Sequence, residues 1–315
     1  MKIRTFALIT SAALLLGISA MRSPANNVRA TVTFDVAVTD KDGNPVVGLQ
    51  KEDFRVFEDN VEQTITSFRP RRDPLAIVIL AEFTDAYYTA DAIKVDEGLV
   101  HGLTPKDWVA VVAFDTQQDI VVDFTHDKDA LVAGLRHLAM PYNHESSMYD
   151  ALYFVMDRLN RIEGLHEKKA VFLLGTGRDN TSYRHSYSDV LKKAAASGTA
   201  VYAVGLGQSP TMLDFSVREP GSLARFNEAG NMLRDIAQAT GGLAFFPQFG
   251  GQYNVIAPTV NADLRHQYML RFNSSSTKTG EKLRRIRIEI GDTDINFDGK
   301  PDKLKARNQE GYYAK

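Results

Sequence analysis

The sequence predicts an α/β fold: a doubly wound, mostly parallel sheet inserted in a small β module built from both ends of the chain. Three observations predict it. The run Leu75–Ala81 and later runs like it are apolar without polar alternation, which is typical of strands buried on both faces of a parallel sheet. Segments with apolar residues at helical spacing separate these runs. The segments before and after this region alternate apolar and polar residues, which indicates half-buried strands.

The composition is that of a folded protein and argues against two classes of partner. The chain has 315 residues, of which 44% are hydrophobic and none is cysteine. It can therefore bury a sizeable core, but it forms no disulfide. The formal net charge is −2, whereas proteins that hold nucleic acid or anionic membranes by charge carry a marked basic excess. We expect neither of these as a partner.

The amino-terminal segment has the pattern of a signal peptide. Lys2 and Arg4 precede the apolar stretch Phe6–Ala20, which ends in small residues. This stretch is shorter than the ~20 residues that a membrane-spanning helix needs, so a retained anchor is the less favoured alternative. We predict a signal peptide at residues 1–20, with Ala25 as a second cleavage position. We also predict no stable membrane insertion and export to the periplasm or the extracellular space.

The β module is predicted from residues 31–70 and 267–315, which we expect to pack on each other. Period-two alternation and flanking turn residues mark its strands. The predicted strands are Thr31–Thr39, Phe54–Glu58, Gln63–Phe68, Tyr268–Phe272 and Leu283–Ile290.

Residues 74–266 are predicted to form the α/β domain, because strands and helices alternate throughout this region. The predicted strands are Leu75–Ala81, Trp108–Phe114, Asp119–Phe124, Ala170–Leu174, Thr199–Leu206 and Leu243–Phe246. Apolar stripes predict helices over Ala92–Leu103, Tyr149–Leu159, Val190–Ala195, Met232–Ala239 and Tyr253–Leu264. The segment at Asp119 is expected to be an edge strand.

Several short phrases carry a likeness to a known family. They are Val38–Gly43, Ile77–Ala86, Ser147–Leu152, Val171–Leu174 before Gly177, and the closing Gly311–Tyr313. Together with the order of elements, they resemble a von Willebrand factor type A domain, and more closely a subfamily of secreted bacterial proteins in which short β segments flank that domain. The resemblance implies a Rossmann-like fold and a non-enzymatic module that binds a protein partner.

The resemblance also implies a metal-ion-dependent adhesion site at the carboxyl ends of the sheet strands. In the family, a first loop has the pattern Asp-x-Ser-x-Ser, a second loop supplies a Thr and a third supplies an Asp. Here Glu82, Thr84 and Ala86 stand in the first loop, Ser146 in the second and Thr176 in the third. A hydroxyl therefore replaces one carboxylate, and a methyl group replaces one hydroxyl.

These replacements make Mg²⁺ an unfavoured ligand, because this ion needs near-octahedral oxygen ligands at ~2.0–2.1 Å. Ala86 offers no oxygen, Thr176 is neutral, and Asp85 compensates only if its side chain turns inward. We expect a degenerate site that keeps the binding face without the ion. The predicted face consists of Glu82, Thr84, Asp85, Ala86, Ser146 and Thr176.

A second candidate metal site lies near the carboxyl terminus. Its ligands would be the side chains of Asp294, Asn296, Asp298 and Asp302 and the backbone carbonyl of Lys300. This is the spacing of a calcium loop, although Lys305 stands where a bidentate Glu belongs. A polar turn between strands is an equally favoured alternative. Ca²⁺ at this loop is the cofactor that the sequence suggests.

Catalytic motifs are missing from the sequence. His144-Glu145 is followed by Met148 where a zinc protease needs its second His, and the chain has no cysteine nucleophile and no Gly-x-Ser-x-Gly elbow. We therefore predict a protein-binding module that is not an enzyme. A structural scaffold acting through the β module is the alternative, and a hydrolase using Glu82 and Asp85 is the least favoured one. The partner's identity and the oligomeric state stay open.

Overall fold

The computed structural model describes residues 29–84, 86–136, 138, 145–162, 168–206, 222–277, 280, 282–295 and 300–314, without the side chains of residues 86–92 and 222–226. The predicted signal peptide at residues 1–20 lies outside these ranges. Among the described helices, none has the length and apolar character needed to cross a membrane.

The described chain alternates strands and helices between two β-rich ends. The strands are β1 (Thr31–Thr39), β2 (Phe54–Glu58), β3 (Val61–Gln63), β4 (Ile65–Pro70), β5 (Leu75–Glu82), β6 (Trp108–Phe114), β7 (Gln118–Thr125), β8 (Lys168–Gly175), β9 (Ala200–Gly205), β10 (Ala244–Phe245), β11 (Gln267–Asn273), β12 (Leu283–Ile290), β13 (Lys305–Asn308) and β14 (Gly311–Tyr313). The helices are a 3₁₀ turn (Lys51–Asp53), α1 (Ala86–His101), α2 (Lys128–Arg136), α3 (Met148–Arg161), α4 (Tyr187–Ser197), α5 (Ser222–Thr240), α6 (Gly250–Tyr253) and α7 (Ile256–Arg265).

The central sheet has the strand order β10-β9-β8-β5-β6-β7. All neighbours in it are parallel except β6 and β7, which are antiparallel. Parallel strands need crossover connections, and the helices between them supply these. The carboxyl ends of β5 and β8 therefore lie next to each other at one edge of the sheet.

Helices cover both faces of this sheet. In β5, Leu75, Ile77 and Ile79 pack into a core with α1, α2 and α7. The residues between them, such as Val78 and Leu80, pack on the other side with α3, α4 and α5. Because successive side chains of a strand point to opposite faces, a strand buried on both sides needs apolar residues throughout. The three-layer arrangement therefore explains the unbroken apolar run.

The two ends of the chain form two four-stranded antiparallel sheets, ordered β13-β1-β11-β4 and β14-β12-β2-β3. Each sheet contains strands from before and after the α/β domain, and both contribute to one apolar core that includes Phe34, Val56, Phe272 and Ile286. The predicted fold class, a mostly parallel α/β sheet with a β module built from both termini, is confirmed.

A buried ion pair ties the two ends of the chain together inside the β module. Arg284 on β12 donates through Nη1 to Glu58 Oε1 on β2 at 2.9 Å, and both residues are buried. Ser274 and Tyr312 donate through their hydroxyls to the same carboxylate. Buried charges need partners of this kind, since a lone buried carboxylate is strongly disfavoured.

The structure differs from the sequence prediction at five elements, one of which is β14, a strand that was not predicted. The single strand predicted at Gln63–Phe68 is two strands, β3 and β4, which belong to different sheets. The single helix predicted over Tyr253–Leu264 is α6 and α7, and Pro258 lies in the first turn of α7, where proline is tolerated. Helix α2 and strand β13 were not predicted. Helix α2 buries only Leu131 and Leu135, and β13 has no apolar alternation.

Candidate functional site

Four of the predicted site residues meet at the carboxyl edge of the central sheet. Glu82 is the last residue of β5, and Thr176 directly follows β8. Since β5 and β8 are paired in parallel, these two residues lie side by side. Thr84 follows β5 by two residues, and Ser146 lies two residues before α3. Strand topology thus brings together residues that are far apart in the chain.

The carboxylate of Glu82 is the centre of this cluster. The hydroxyl of Thr84 donates to Glu82 Oε1 at 2.9 Å. The hydroxyl of Thr176 lies 3.0 Å from both carboxylate oxygens, and the backbone N–H of Thr176 donates to Oε2. The negative charge is therefore held by donors of the protein itself.

Gly175 gives this carboxylate its space. A Cβ atom at position 175 would lie 2.6 Å from Glu82 Oε2, which is closer than side chains normally approach. The longer arm of Glu, relative to the Asp of the family pattern, reaches across to the neighbouring strand and needs a glycine there. The substitution of Glu for Asp is thus accommodated by the end of β8.

Burial controls the ionisation of Glu82. Loss of solvent raises the pKa of this carboxyl above its usual value, and hydrogen bonds from Thr176 and Thr84 and the nearby hydroxyl of Ser146 offset only part of the rise. Desolvation disfavours the charged form, while donors that face the carboxylate favour it. The net direction is upward, so the site binds a proton more readily than an exposed glutamate.

Ser146 places a hydroxyl at this cluster that has no hydrogen-bond partner among the described residues. The residue is 2% exposed, and its Oγ is buried without a partner of standard geometry, although it lies near enough to Glu82 to lower that group's pKa. Its backbone is fixed by Asn180, whose side-chain oxygen accepts the N–H of Ser146 at 2.7 Å. The loop after β8 therefore holds this hydroxyl toward the carboxylate.

Two aspartates that the sequence analysis missed anchor that loop to the start of α3. Asp179 Oδ2 accepts the N–H of Tyr149 at 2.7 Å and the hydroxyl of Ser182 at 2.6 Å. Asp150 accepts the backbone N–H and the Nδ1 atom of His185, at 2.8 and 2.9 Å. A carboxylate near free N–H groups at a helix start is favourable. The acidic residue at the third position of α3, Asp150, was the available sequence signal.

This loop presents an aromatic ring to solvent. Tyr183 is 77% exposed, and the guanidinium of Arg184 lies over its ring, 5.1 Å from the centroid. His185 instead stacks on Tyr153 with ring centroids 3.6 Å apart, and Tyr187 begins α4. Tyr183 is therefore exposed, whereas His185 and Tyr187 are half-buried.

The remaining predicted site residues are placed only in part. Asp85 lies outside the described residues, and Ala86 begins α1 with an undescribed side chain. In the late loop, Asn296 and Asp298 are also outside the described residues.

The described part of the late loop forms a turn. Asp302 Oδ2 accepts the N–H of Ile295 at 2.8 Å, and the N–H of Asp302 donates to the Thr293 carbonyl at 2.9 Å. Asp294 and Lys300 are also described, but the predicted set of five ligands cannot be assembled from these residues alone. The calcium loop therefore stays a prediction.

The family follows from a comparison of sequences. The profile described as von Willebrand factor type A domain matches residues 90–246. This chain contains a von Willebrand factor type A domain. No curated protein sequence matches the chain. Proteins with this domain are in general adhesion or interaction modules without catalytic activity.

Solved structures of von Willebrand type A proteins and bacterial relatives are similar to this chain at low identity. The von Willebrand factor type A protein from Catenulispora acidiphila is 12% identical to this chain. The match covers 93% of this chain and 76% of that protein, with a TM-score of 0.48. An aerotolerance-related membrane protein from Bacteroides fragilis is 17% identical. The match covers 60% of this chain and 98% of that protein, with a TM-score of 0.47. The vWF domain of the type V pili tip protein Mfa5 from Porphyromonas gingivalis is 13% identical, with 60% and 96% covered and a TM-score of 0.44.

The donors at this von Willebrand type A site are a poor match for the divalent ion that the family's adhesion site holds. The described cluster offers one carboxylate, from Glu82, and three hydroxyls, from Thr84, Ser146 and Thr176. The carboxylate already accepts three hydrogen bonds, and a divalent ion would have to displace some of these donors. Within the described residues, no group of three His, Cys, Asp or Glu side chains is placed to hold an ion. Among the described residues, this set of donors is therefore a poor fit for Mg²⁺.

Proposed function

We propose that this chain is an exported, non-enzymatic protein-binding module. Its binding face is the rim face, defined as Glu82, Thr84, Asp85, Ala86, Ser146 and Thr176. We further propose that the rim face is a degenerate metal-ion-dependent adhesion site that engages its partner without a divalent ion. The role of an interaction module agrees with the von Willebrand type A family.

The convergence of the rim residues on one carboxylate carries the proposal. Oxygen-bearing side chains stand at four of the site's positions. Here Thr84 and Thr176 donate to Glu82, and Ser146 adds a buried hydroxyl. The protein donors satisfy the charge that a cation would otherwise neutralise. The face therefore keeps its shape and polarity while its chemistry changes.

The geometry supports a binding role more than catalysis. A nucleophile needs a base that takes its proton, and the base in turn needs a group that orients it. At the rim, the raised pKa makes Glu82 a stronger base than an exposed glutamate, but its oxygens already accept two threonine hydroxyls and a backbone N–H. His185, the histidine of the adjoining loop, is engaged by Asp150 and stacked on Tyr153. The alternative hydrolase would also need Asp85, which is not described.

The export proposal rests on the first residues of the chain alone. Lys2 and Arg4 followed by the apolar stretch are the pattern that secretion machinery recognises. Mass spectrometry of the protein recovered from its cell should find an amino terminus between residues 20 and 31. Recovery of the intact chain from the membrane fraction would contradict export.

A capture experiment in the presence of a chelator tests the proposed face. Tyr183 borders the rim and is 77% exposed, while Val61 on the edge strand β3 is 56% exposed on the β module. Tyr183→Ala and Val61→Asp are therefore matched surface variants that should leave the fold intact. The wild type and Val61→Asp should retain the same partner from the exported protein fraction, with EDTA present, and Tyr183→Ala should lose it.

The reverse result would favour the scaffold alternative. If Val61→Asp loses the partner and Tyr183→Ala keeps it, the partner binds the β module and not the rim face. Loss of the partner from the wild type on addition of EDTA would contradict the metal-independent part of the proposal.

A further inference from the structure

A polar cavity of about 110 Å³ lies at the opposite edge of the central sheet from the rim face. Lys168, the first residue of β8, lines it from the α/β domain, and Asp35 on β1 lines it from the β module. Arg71, between β4 and β5, lines it from the segment that connects the two. We call it the interdomain cavity, because residues from both parts of the chain form its wall.

Lys168 brings a buried cation to this cavity. The residue is 2% exposed. Its Nζ donates to the Gln267 side-chain oxygen and, at 3.4 Å, to the carbonyl of Leu264. An ammonium group carries three protons, so these two described acceptors leave it with donor capacity to spare. Burial lowers the pKa of Lys168 to about 8, which still leaves the group mostly protonated at neutral pH.

Arg71 brings an unsatisfied donor to the same cavity. Its side chain is 16% exposed, and its Nη1 lies 3.0 Å from Asp73 Oδ2. Its Nε lies 3.4 Å from Asp35 Oδ1, within ion-pair distance, but among the described residues this buried N–H has no hydrogen-bond partner. Buried polar groups are nearly always satisfied, so an unpaired guanidinium N–H calls for an explanation.

The charges around the cavity favour an anion. Among the described lining residues, Arg71, Lys168 and Lys169 are basic and Asp35 alone is acidic. Lys169 also donates to Asn160 Oδ1 at 3.0 Å. Its main contribution is therefore the positive electrostatic potential that it adds at the cavity. With a volume of about 110 Å³, the cavity has room for a tetrahedral oxyanion.

We propose that the interdomain cavity binds a small oxyanion, of the size of sulfate or inorganic phosphate, between Lys168 and Arg71. An anion with several oxygens accepts both the remaining ammonium proton and the unpaired Nε–H, and charge-assisted hydrogen bonds of this kind are the strong ones. Because its ligands come from both parts of the chain, the bound anion also braces the α/β domain against the β module.

Isothermal titration calorimetry with sulfate tests the proposal on the mature chain. Sulfate keeps the same charge between pH 6 and pH 10, so changes of affinity with pH report on the protein. The wild type should bind one sulfate saturably. Arg71→Gln should weaken binding by at least tenfold, because it removes the unpaired donor and one positive charge. Arg72→Gln, an exposed neighbour that does not line the cavity, should bind as the wild type does.

The pH dependence gives a second readout. Lys168 is faced by Asp35 from β1 and Asp263 from α7, which favour its proton, and by Arg71 and by Arg307 from β13, which disfavour it. Sulfate affinity should therefore fall as the pH rises through about 8 and the ammonium deprotonates. An affinity that does not change between pH 7 and pH 9 would contradict the role of Lys168.

Two results would overturn the proposal outright. One is the absence of saturable binding to the wild type at millimolar sulfate. The other is equal affinity in Arg71→Gln and Arg72→Gln, which would place the ion elsewhere. If Arg71→Gln does not fold, anomalous scattering from wild-type crystals soaked in selenate decides the question: a peak between Lys168 and Arg71 supports the site, and a cavity without one refutes it.

Discussion

The backbone N–H and the hydroxyl of Thr176 both donate to the carboxylate of Glu82, and the hydroxyl lies 3.0 Å from each carboxylate oxygen. The family pattern has an Asp where Thr176 stands, and two carboxylates at this distance would repel each other unless a cation lay between them. With Thr in that place, the pair is attractive without any ion. This exchange is the physical basis of our proposal that the rim face works without a metal ion.

Replacement of Thr176 by Val should weaken the fold at the rim. The variant keeps the shape of the side chain but removes the hydroxyl, so Glu82 retains only Thr84 and the backbone N–H of residue 176 as clear donors. Loss of a hydrogen bond to a buried charged group costs about 1.5–3 kcal/mol. Urea unfolding should show this decrease. The exposed Thr66→Val on β4 is the control and should change stability by less than ~0.5 kcal/mol.

Replacement of Glu82 by Gln should be nearly neutral at pH 7. The amide can accept the Thr176 N–H through its oxygen and donate to the two hydroxyls through its nitrogen, while it removes a buried charge. A loss of stability larger than that of Thr176→Val would show that the charge itself is needed.

The same pair of proteins should differ in their response to acid. Because the folded pKa of Glu82 is raised, the native state takes up its proton first, and this stabilises the wild type as the pH falls through the raised pKa toward 4.5. The contribution is fully present below the unfolded value and is lost as the pH rises through the folded one. Glu82→Gln lacks this pH-dependent contribution to stability. Urea unfolding from pH 4.5 to pH 8 should therefore show that the free energy of unfolding of the wild type, relative to that of Glu82→Gln, increases as the pH falls.

Lys168 should make the free energy of unfolding change with pH in the opposite direction, in the alkaline range. Burial lowers its pKa from 10.5 to about 8, so between these values the unfolded chain binds a proton that the native state lacks. Stability should therefore rise with pH across this window, by roughly 3 kcal/mol for a change of this size. Lys168→Met should abolish the rise, whereas Lys192→Met, on the exposed face of α4, should keep it. A wild-type curve that is flat from pH 8 to pH 10 would contradict the burial of the charge.

The sequence predicted the elements whose pattern follows from their burial. Leu75–Glu82 is apolar because it is buried on both faces, and Thr31–Thr39 alternates because it is buried mainly on one. Strand β13 has the polar sequence Lys-Ala-Arg-Asn. Its backbone pairing with β1 makes it a strand, and no side-chain pattern reports that.

The candidate site divides in the same way. Glu82, Thr84, Ser146 and Thr176 were found from loop positions in the family pattern, because strand order fixes which loops meet. The roles of Asp150 and Asp179 depend on how the loop after β8 folds onto α3, which is a tertiary contact. The same holds for the interdomain cavity, whose walls come from seven separate stretches of chain.

Calcium is expected to act on the loop from Asp294 to Asp302 and to leave the rim face unchanged. Alternating side-chain oxygens can wrap one ion, and without a bidentate Glu the affinity should be weak, with a Kd of ~10⁻⁴–10⁻³ M. Amide exchange in millimolar Ca²⁺ should show protection between Ile288 and Tyr313 that is absent in Asp294→Ala and Asp298→Ala. If no amide in this range is protected, or if both variants respond as the wild type does, the loop is a polar turn.

A melting experiment with Mg²⁺ and Mn²⁺ tests the central claim, that the rim face holds no divalent ion, most directly. An ion that binds only the native state at a hundredfold excess over its Kd stabilises by about 2.7 kcal/mol, which is a shift of several degrees. The positive control is a variant that restores the family pattern, with Glu82→Asp, Ala86→Ser and Thr176→Asp combined. We predict that the wild type melts at the same temperature in Mg²⁺ or Mn²⁺ and in EDTA, while the restored variant melts several degrees higher with the ion. A wild-type shift of several degrees that vanishes in Glu82→Ala would contradict the account.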